Sequence, residues 1–298
     1  MMETEIRQTP AIEFRNVSLS FDERRVLTDI NFKLERGEMI FLTGESGSGK
    51  SLLLRLAMAL DHPDRGRVFI EGRDVGPASE VELLELRGAR MGIVFQEDSL
   101  FTSLSAYENV AYRLVEHGVD EAETGRQVTE VLKFVGLYQD AQRLPHELSG
   151  GMRRRLEIAR ALVGWPSIML FDEPAAGLDP LTSEQVLDLI IRARDIYGIS
   201  SIYVTKKLDE IPYLATRRAR ETNGGIVIEE VCDQSLPRTR VIVLAEGQIS
   251  FCGSVAEFET SAQREVTRLT HADNGTVLSD YVTSNPWDPQ RRPRERIL

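Results

Sequence analysis

Eight residues, Gly44-Glu45-Ser46-Gly47-Ser48-Gly49-Lys50-Ser51, constrain this chain more than any others. They fit G-x-x-x-x-G-K-[ST], a loop whose glycines let successive backbone N–H groups turn inward on an anion. The helix that follows such a loop presents its positive N-terminus to the same charge. The loop therefore requires a strand before it and a helix after it. Met39-Ile40-Phe41-Leu42-Thr43 reads as a buried strand, and Leu52 to Leu60 as an almost wholly apolar helix. Residues Gly44 to Gly49 form the phosphate cradle. Lys50 is expected to reach the β- and γ-phosphates as a point charge, and the Ser51 hydroxyl to ligate Mg²⁺. ATP and Mg²⁺ are the ligands this predicts.

A second group lies far along the chain. Ile168-Met169-Leu170-Phe171-Asp172-Glu173 is an apolar run ending in two carboxylates. Unpaired buried charge is costly, so a buried strand with adjacent acids at its tip suits a metal or a proton transfer. Asp172 is expected to hold Mg²⁺ through water, and Glu173 to orient or deprotonate the attacking water. Between the two groups, Leu148-Ser149-Gly150-Gly151-Met152 opens a helical pattern with Leu156, Ala159, Leu162 and Val163. A Ser-Gly-Gly cluster at a helix start is a further anion site.

In this order and spacing the motifs resemble the ATP-binding subunits of ABC transporters, from about residue 11 to about residue 255. That resemblance implies an α/β fold: a phosphate-loop ATPase domain with a mainly parallel sheet, an antiparallel β subdomain and an inserted helical subdomain at about 83–163. It also implies further site residues. Phe21 would stack on adenine, Gln96 would act as the Q-loop ligand to Mg²⁺ and the reacting water, and Ala176-Gly177-Leu178-Asp179 would form the D-loop. Two copies would stack head to tail as a homodimer. Each ATP would lie between the phosphate loop of one copy and Ser149, Gly150 and Gly151 of the other.

Length and composition agree with this reading. A chain of 298 residues suits one large α/β domain or two small ones. A formal net charge of −11 argues against nucleic acid as the main partner. No apolar run approaches the eighteen or so residues needed to cross a bilayer, and Met1 to Pro10 lacks the parts of a signal peptide. The expectation is a soluble cytoplasmic protein, peripheral on the inner face of the membrane through an integral permease. Cys232 and Cys252 lack metal-like spacing and read as reduced thiols, with a disulfide between them as the alternative.

Residues 11 to about 38 alternate apolar and polar, as antiparallel strands with one wet face do. Arg217 to Arg240 interrupts the expected passage to the strand Val241-Ile242-Val243-Leu244. Its segment from Gly224 to Val231 reads as an extra strand or hairpin in a surface insertion. Residues 256–298 form a C-terminal extension ending in Arg291, Arg292, Arg294 and Arg296. That tail reads as a solvated end, a lipid-headgroup contact or a clasp on a second subunit.

Within the family, Gln96 to Tyr112, the Met152 in place of Gln and the C-terminal extension resemble the ATPase of Mla/Mce-type phospholipid transporters. This implies an MCE-domain protein as a further partner. Leu100 and Phe101 then lie near the groove for the permease, or are core residues of the helical subdomain.

One position departs from the family. Lys206 stands after Val204-Thr205, where most relatives carry a His that touches the γ-phosphate. Lysine keeps a positive charge but has three donors, no acceptor and a flexible stem. Two functions follow: an active ATPase motor, with Glu173, Gln96 and Lys206 in the reaction, or an ATP-binding assembly subunit with little hydrolysis. An ABC ATPase for a different solute shares every one of these sites.

Overall fold

The computed structural model describes residues 9–21, 24–223, 225–231 and 238–261. Its centre is a six-stranded sheet in the order β12-β11-β3-β8-β7-β6. These strands are β3 (Met39–Thr43), β6 (Met91–Val94), β7 (Ile168–Asp172), β8 (Ser200–Val204), β11 (Thr239–Ala245) and β12 (Gln248–Gly253). All neighbours run parallel except β12, which returns antiparallel on β11.

Every residue of β3, β7 and β8 is buried. Alternate side chains feed two separate cores, because a strand sends successive residues to opposite faces. Met39, Phe41, Met169, Phe171 and Tyr203 join one core; Ile40, Leu42, Ile168, Leu170, Ile202 and Val204 join the other. A sheet covered on both faces explains why these strands read as continuous apolar runs.

The second core is closed by a four-stranded antiparallel sheet, β2-β1-β4-β5. It comprises β1 (Ile12–Phe21), β2 (Arg24–Leu34), β4 (Arg65–Ile70) and β5 (Arg73–Asp74). Helices α1 (Lys50–Ala57) and α2 (Glu80–Arg90) contribute Leu53, Leu54, Leu56 and Leu83 to this core.

The first core is closed by α3 (Ala106–Glu116), α4 (Glu121–Phe134), α5 (Gly150–Leu162) and α6 (Pro180–Tyr197). Each starts on a side-chain cap: Ser105, Asp120, Ser149 and Asp179 accept from the backbone N–H three residues on. The helical part thus begins later than residue 83. Leu83 of α2 is buried in the sheet's second core and β6 is an edge strand of the central sheet.

After α7 (Glu210–Ala215) comes a two-stranded antiparallel unit, β9 (Arg217–Thr222) and β10 (Gly225–Glu230). The hairpin read from the sequence is present, yet it is more than a surface addition. Ala219 is buried, and Ile226 and Ile228 pack on the first core. Buried Arg194 of α6 donates to the carbonyls of Leu214 and Arg217, both at 2.6 Å, and Asp195 accepts from the Ala219 N–H at 2.7 Å. Residues 255–261 are helical. The remainder of the C-terminal extension, with its arginines, and Cys232 lie outside the described residues; Cys252 is a free, exposed thiol.

Candidate functional site

The carboxyl ends of adjacent parallel strands β3, β8 and β7 lie side by side, the usual place for a ligand in such a sheet. Each tip releases one part of the predicted site. The Gly44–Ser51 loop follows β3, Asp172 and Glu173 end β7, and Lys206 follows β8.

The loop is held tightly. Gly44 has φ +141°, and a Cβ there would sit 2.1 Å from the Leu244 carbonyl oxygen. Gly49, at φ +104°, opens α1 with no side-chain cap. The first N–H groups of α1 thus have no side-chain acceptor, which suits an anion. Lys50 is buried and donates to the carbonyls of Gly44 at 2.8 Å and Glu45 at 2.6 Å. Burial, then the nearby Lys206 ammonium, lower the Lys50 pKa, while Glu173 and Asp172 oppose this. Glu45, Ser46, Gly47 and Ser51 are exposed around it, and Ser48 is buried.

Asp172 is buried, which raises its pKa; the Ser51 hydroxyl bonded to it acts in the opposite direction. Its Oδ1 has no hydrogen-bond partner. A buried carboxylate oxygen left open beside a hydroxyl matches the oxygen donors Mg²⁺ prefers. Glu173 has φ +48°, a left-handed backbone seldom adopted by a residue with a side chain, fixed by its N–H on the Val204 carbonyl at 3.0 Å. Its Oε1 meets the Lys206 Nζ at 2.7 Å.

Gln96 comes two residues after β6, whose Val94 pairs with Phe171. That register delivers the loop starting at Phe95 beside the Asp172–Glu173 tip. The Gln96 side chain is exposed, but its carbonyl is gripped by Arg154 Nη2 at 2.9 Å. Ser149, Gly150 and Gly151 are elsewhere, at the start of α5, which packs on α3, α4, α6 and β6. Ser149 caps its own helix through Met152 N–H, a Cβ on Gly150 would enter open space, and a Cβ on Gly151 would come 2.4 Å from Thr182 Cγ2. The structure thus gathers Lys50, Ser51, Asp172, Glu173 and Lys206, and leaves Ser149–Gly151 apart. The Phe21 side chain lies outside the described residues.

Two features go further than the sequence reading. Along α5, the buried pair Arg154–Glu157 (2.7 Å) and Arg160 bind the loop after β6: Arg154 holds the Phe95 carbonyl at 2.7 Å, Glu157 accepts Ser99 N–H at 2.9 Å, and Arg160 donates to the Ser99 carbonyl at 2.7 Å. Burial raises the Glu157 pKa. Charges at i, i+3 and i+6 on a helix that otherwise buries apolar residues are the signal that points to it. The second feature is an apolar groove of about 460 Å³, with Leu84, Phe95, Phe101 and Tyr112 exposed along it and Arg113, His117 and Arg160 among its walls. Phe101 lines this groove, whereas Leu100 is buried in the first core.

The ABC transporter family model matches residues 27–176. The methionine import ATP-binding protein MetN of Leifsonia xyli subsp. xyli is 35% identical over 279 residues, 91% of this chain and 79% of the relative. MetN of Corynebacterium diphtheriae is 38% identical over 220 residues, 72% of this chain and 64% of that relative, so the match there spans under two thirds of the relative's length. The chloroplastic protein trigalactosyldiacylglycerol 3 of Arabidopsis thaliana is 38% identical over 258 residues, 84% and 70% of the two chains. None of these three is named for the Mla system, so the phospholipid expectation narrows to the family as a whole.

Among solved structures, the dimeric ATP-binding cassette MJ0796 bound to ADP and Pi aligns with a TM-score of 0.68 at 27% identity. The alignment covers 82% of this chain and 98% of that one. CbiO1 of Clostridium perfringens, part of the transporter complex cbiONQ, aligns at 0.70 and 27%, covering 89% and 96%. With the matched segment running from within β2, through the phosphate loop, to the turn after Glu173, the chain belongs to the ABC transporter family and is an ABC-type ATPase.

Proposed function

We propose that this protein is the subunit that couples ATP hydrolysis to a membrane permease, working as a homodimer at the cytoplasmic face. The observation that carries this is the juxtaposition of Lys50, Ser51, Asp172, Glu173 and Lys206 at neighbouring strand tips. The chain from 11 to 255 forms the ATPase unit, and the 256–298 extension serves assembly. Gly44 to Gly49 and the open N-terminus of α1 hold the phosphates. Lys50, bonded to its own loop carbonyls in the free protein, turns to the β- and γ-phosphates. Ser51 and Asp172 hold Mg²⁺, with Gln96 reaching the same ion from the loop after β6. The ion, when bound, neutralises charge developing on the phosphate oxygens. Glu173 orients the water and takes its proton.

Ser149 and Gly150 are exposed at the start of α5, which fits a site completed by a second copy. The MJ0796 cassette is described as dimeric with ADP and Pi bound, which supports the same arrangement here. The apolar groove beside Phe95 suits a helix from a permease: Arg154 and Arg160 tie its floor to the helix that starts at Ser149.

For the cargo, two readings have support. The MetN relatives favour methionine import. A phospholipid cargo with an MCE-domain partner is favoured by Met152, by the Gln96–Tyr112 stretch and by a relative named for a galactolipid. Copurification from membranes tests both. Capture of an MCE-domain protein with the permease supports lipid transport; methionine-stimulated phosphate release by the purified complex supports import. Recovery of neither permease nor nucleotide-dependent dimer overturns the motor reading itself.

A further inference from the structure

The contact between Lys206 and Glu173 is an ion pair within the reaction site of the free protein. Lys206 Nζ lies 2.7 Å from Glu173 Oε1 on a residue that is otherwise largely exposed, at 42%, while Glu173 is 13% exposed. The lysine stem thus has room in solvent, whereas the carboxylate is largely covered and its backbone is tied: Glu173 sits at φ +48° with its N–H on the Val204 carbonyl. A second ammonium, Lys50, is close enough for the two charges to influence each other, and it is buried and tied to carbonyls. Lys207 does not compete for Glu173, since it reaches the Ala175 carbonyl at 3.2 Å and Glu210 at 3.8 Å.

Resting on the nucleotide site proposed above, we infer that Lys206 exchanges partners: it pairs with Glu173 when no γ-phosphate is present and swings onto the γ-phosphate when ATP binds. A γ-phosphate carries more negative charge than one carboxylate, and an ammonium on a flexible stem follows the stronger anion. ADP brings no such group and leaves the pair intact. Lys206 therefore distinguishes ATP from ADP, and Glu173 is freed to accept a water's proton only while there is a bond to break. After hydrolysis and loss of phosphate the pair re-forms and resets the site.

The exchange predicts a sign in a double-mutant cycle on nucleotide affinity, read without turnover. Dissociation constants for ADP and for the non-hydrolysable analogue AMP-PNP are measured with Mg²⁺, at concentrations where the protein stays monomeric. The proteins are wild type, Lys206→Met, Glu173→Gln and the double variant. Lys206→Met should weaken AMP-PNP binding by about five-fold, the upper range for an exposed ion pair, and leave ADP unchanged. Glu173→Gln should tighten AMP-PNP, and that gain should shrink in the Lys206→Met background, where no pair has to be broken.

A gain that is equal or larger without Lys206 overturns the exchange, because it means that Lys206 stays on Glu173 or never meets the phosphate. Thermal melts accompany each variant, and Lys206→Gln replaces Lys206→Met should the latter fail to fold. Lys50→Ala is the control for the site. If it leaves both affinities intact, the nucleotide-site reading fails, a result separate from a wrong sign in the cycle.

Discussion

Two helices of this protein begin at glycine-rich segments read as anion sites, and they are built in opposite ways. The start of α1 has no side-chain cap, and the charges around it come from the same chain: Lys50, Asp172, Glu173 and Lys206. The start of α5 is capped by Ser149, is exposed, and leaves open space where a Cβ on Gly150 would sit. On the function proposed above, the first is a binding site built within one chain, its lysine held on loop carbonyls, and the second is a surface for another molecule. A residue at the first end should therefore matter to one chain alone, and a residue at the second only to an assembly.

The sharpest test of the first end is Glu173→Gln, which should keep ATP binding and lower phosphate release by about two to four decades, the usual contribution of a general base. Steady-state phosphate release and ATP affinity on the same sample check it. A variant releasing phosphate at the wild-type rate would remove Glu173 from the reaction. Lys50→Ala should weaken ATP by about a hundred-fold, since hydrogen bonds to charged groups are worth about 1.5–3 kcal/mol each and the lysine makes more than one. Calorimetric titration reads it.

At the second end, Gly150→Asp should change neither melting temperature nor monomer affinity. A carboxylate in the first turn suits the helix dipole, and its Cβ enters open space. Yet the added charge should repel a partner's nucleotide and suppress ATP-dependent dimers of the Glu173→Gln protein by about tenfold or more, at about 1.4 kcal/mol per decade. Size-exclusion chromatography with MgATP decides. Unaltered dimers would mean that α5 does not face the shared nucleotide, and the contrast between the two ends would collapse.

The smallest effect on nucleotide is expected at the hairpin. Asp195→Ala removes the acceptor for the Ala219 N–H and strands buried Arg194, which should cost about 3–5 kcal/mol of stability as for other broken buried pairs. ATP affinity of the folded protein should stay as it was. Denaturant unfolding beside a nucleotide titration separates the two.

What the sequence reveals follows from how contiguous each part is. The phosphate loop, the β7 carboxylates and the capped start of α5 are runs of eight residues or fewer whose chemistry is local, so they are legible. The antiparallel β1–β2 pairing and the β9–β10 hairpin also show in alternation. Contacts made across strand order are not legible: Lys206 touches Glu173 only because β8 lies beside β7. The grip of Arg154 and Glu157 on residues 95–99 bridges nearly sixty positions. The front edge of the helical part is misplaced for a related reason. Leu83 and Leu86 of α2 are spaced for a helix, and nothing local says which of two cores will receive them. The hairpin's polar composition likewise hides that Ala219 is buried against α6.

The backbone at Glu173 sets survival under heat against function. A left-handed conformation at a residue with a Cβ costs about 1–2 kcal/mol, which glycine would not incur. Directed evolution for thermal tolerance alone would therefore drift toward glycine at position 173 and yield a sturdier, inert protein.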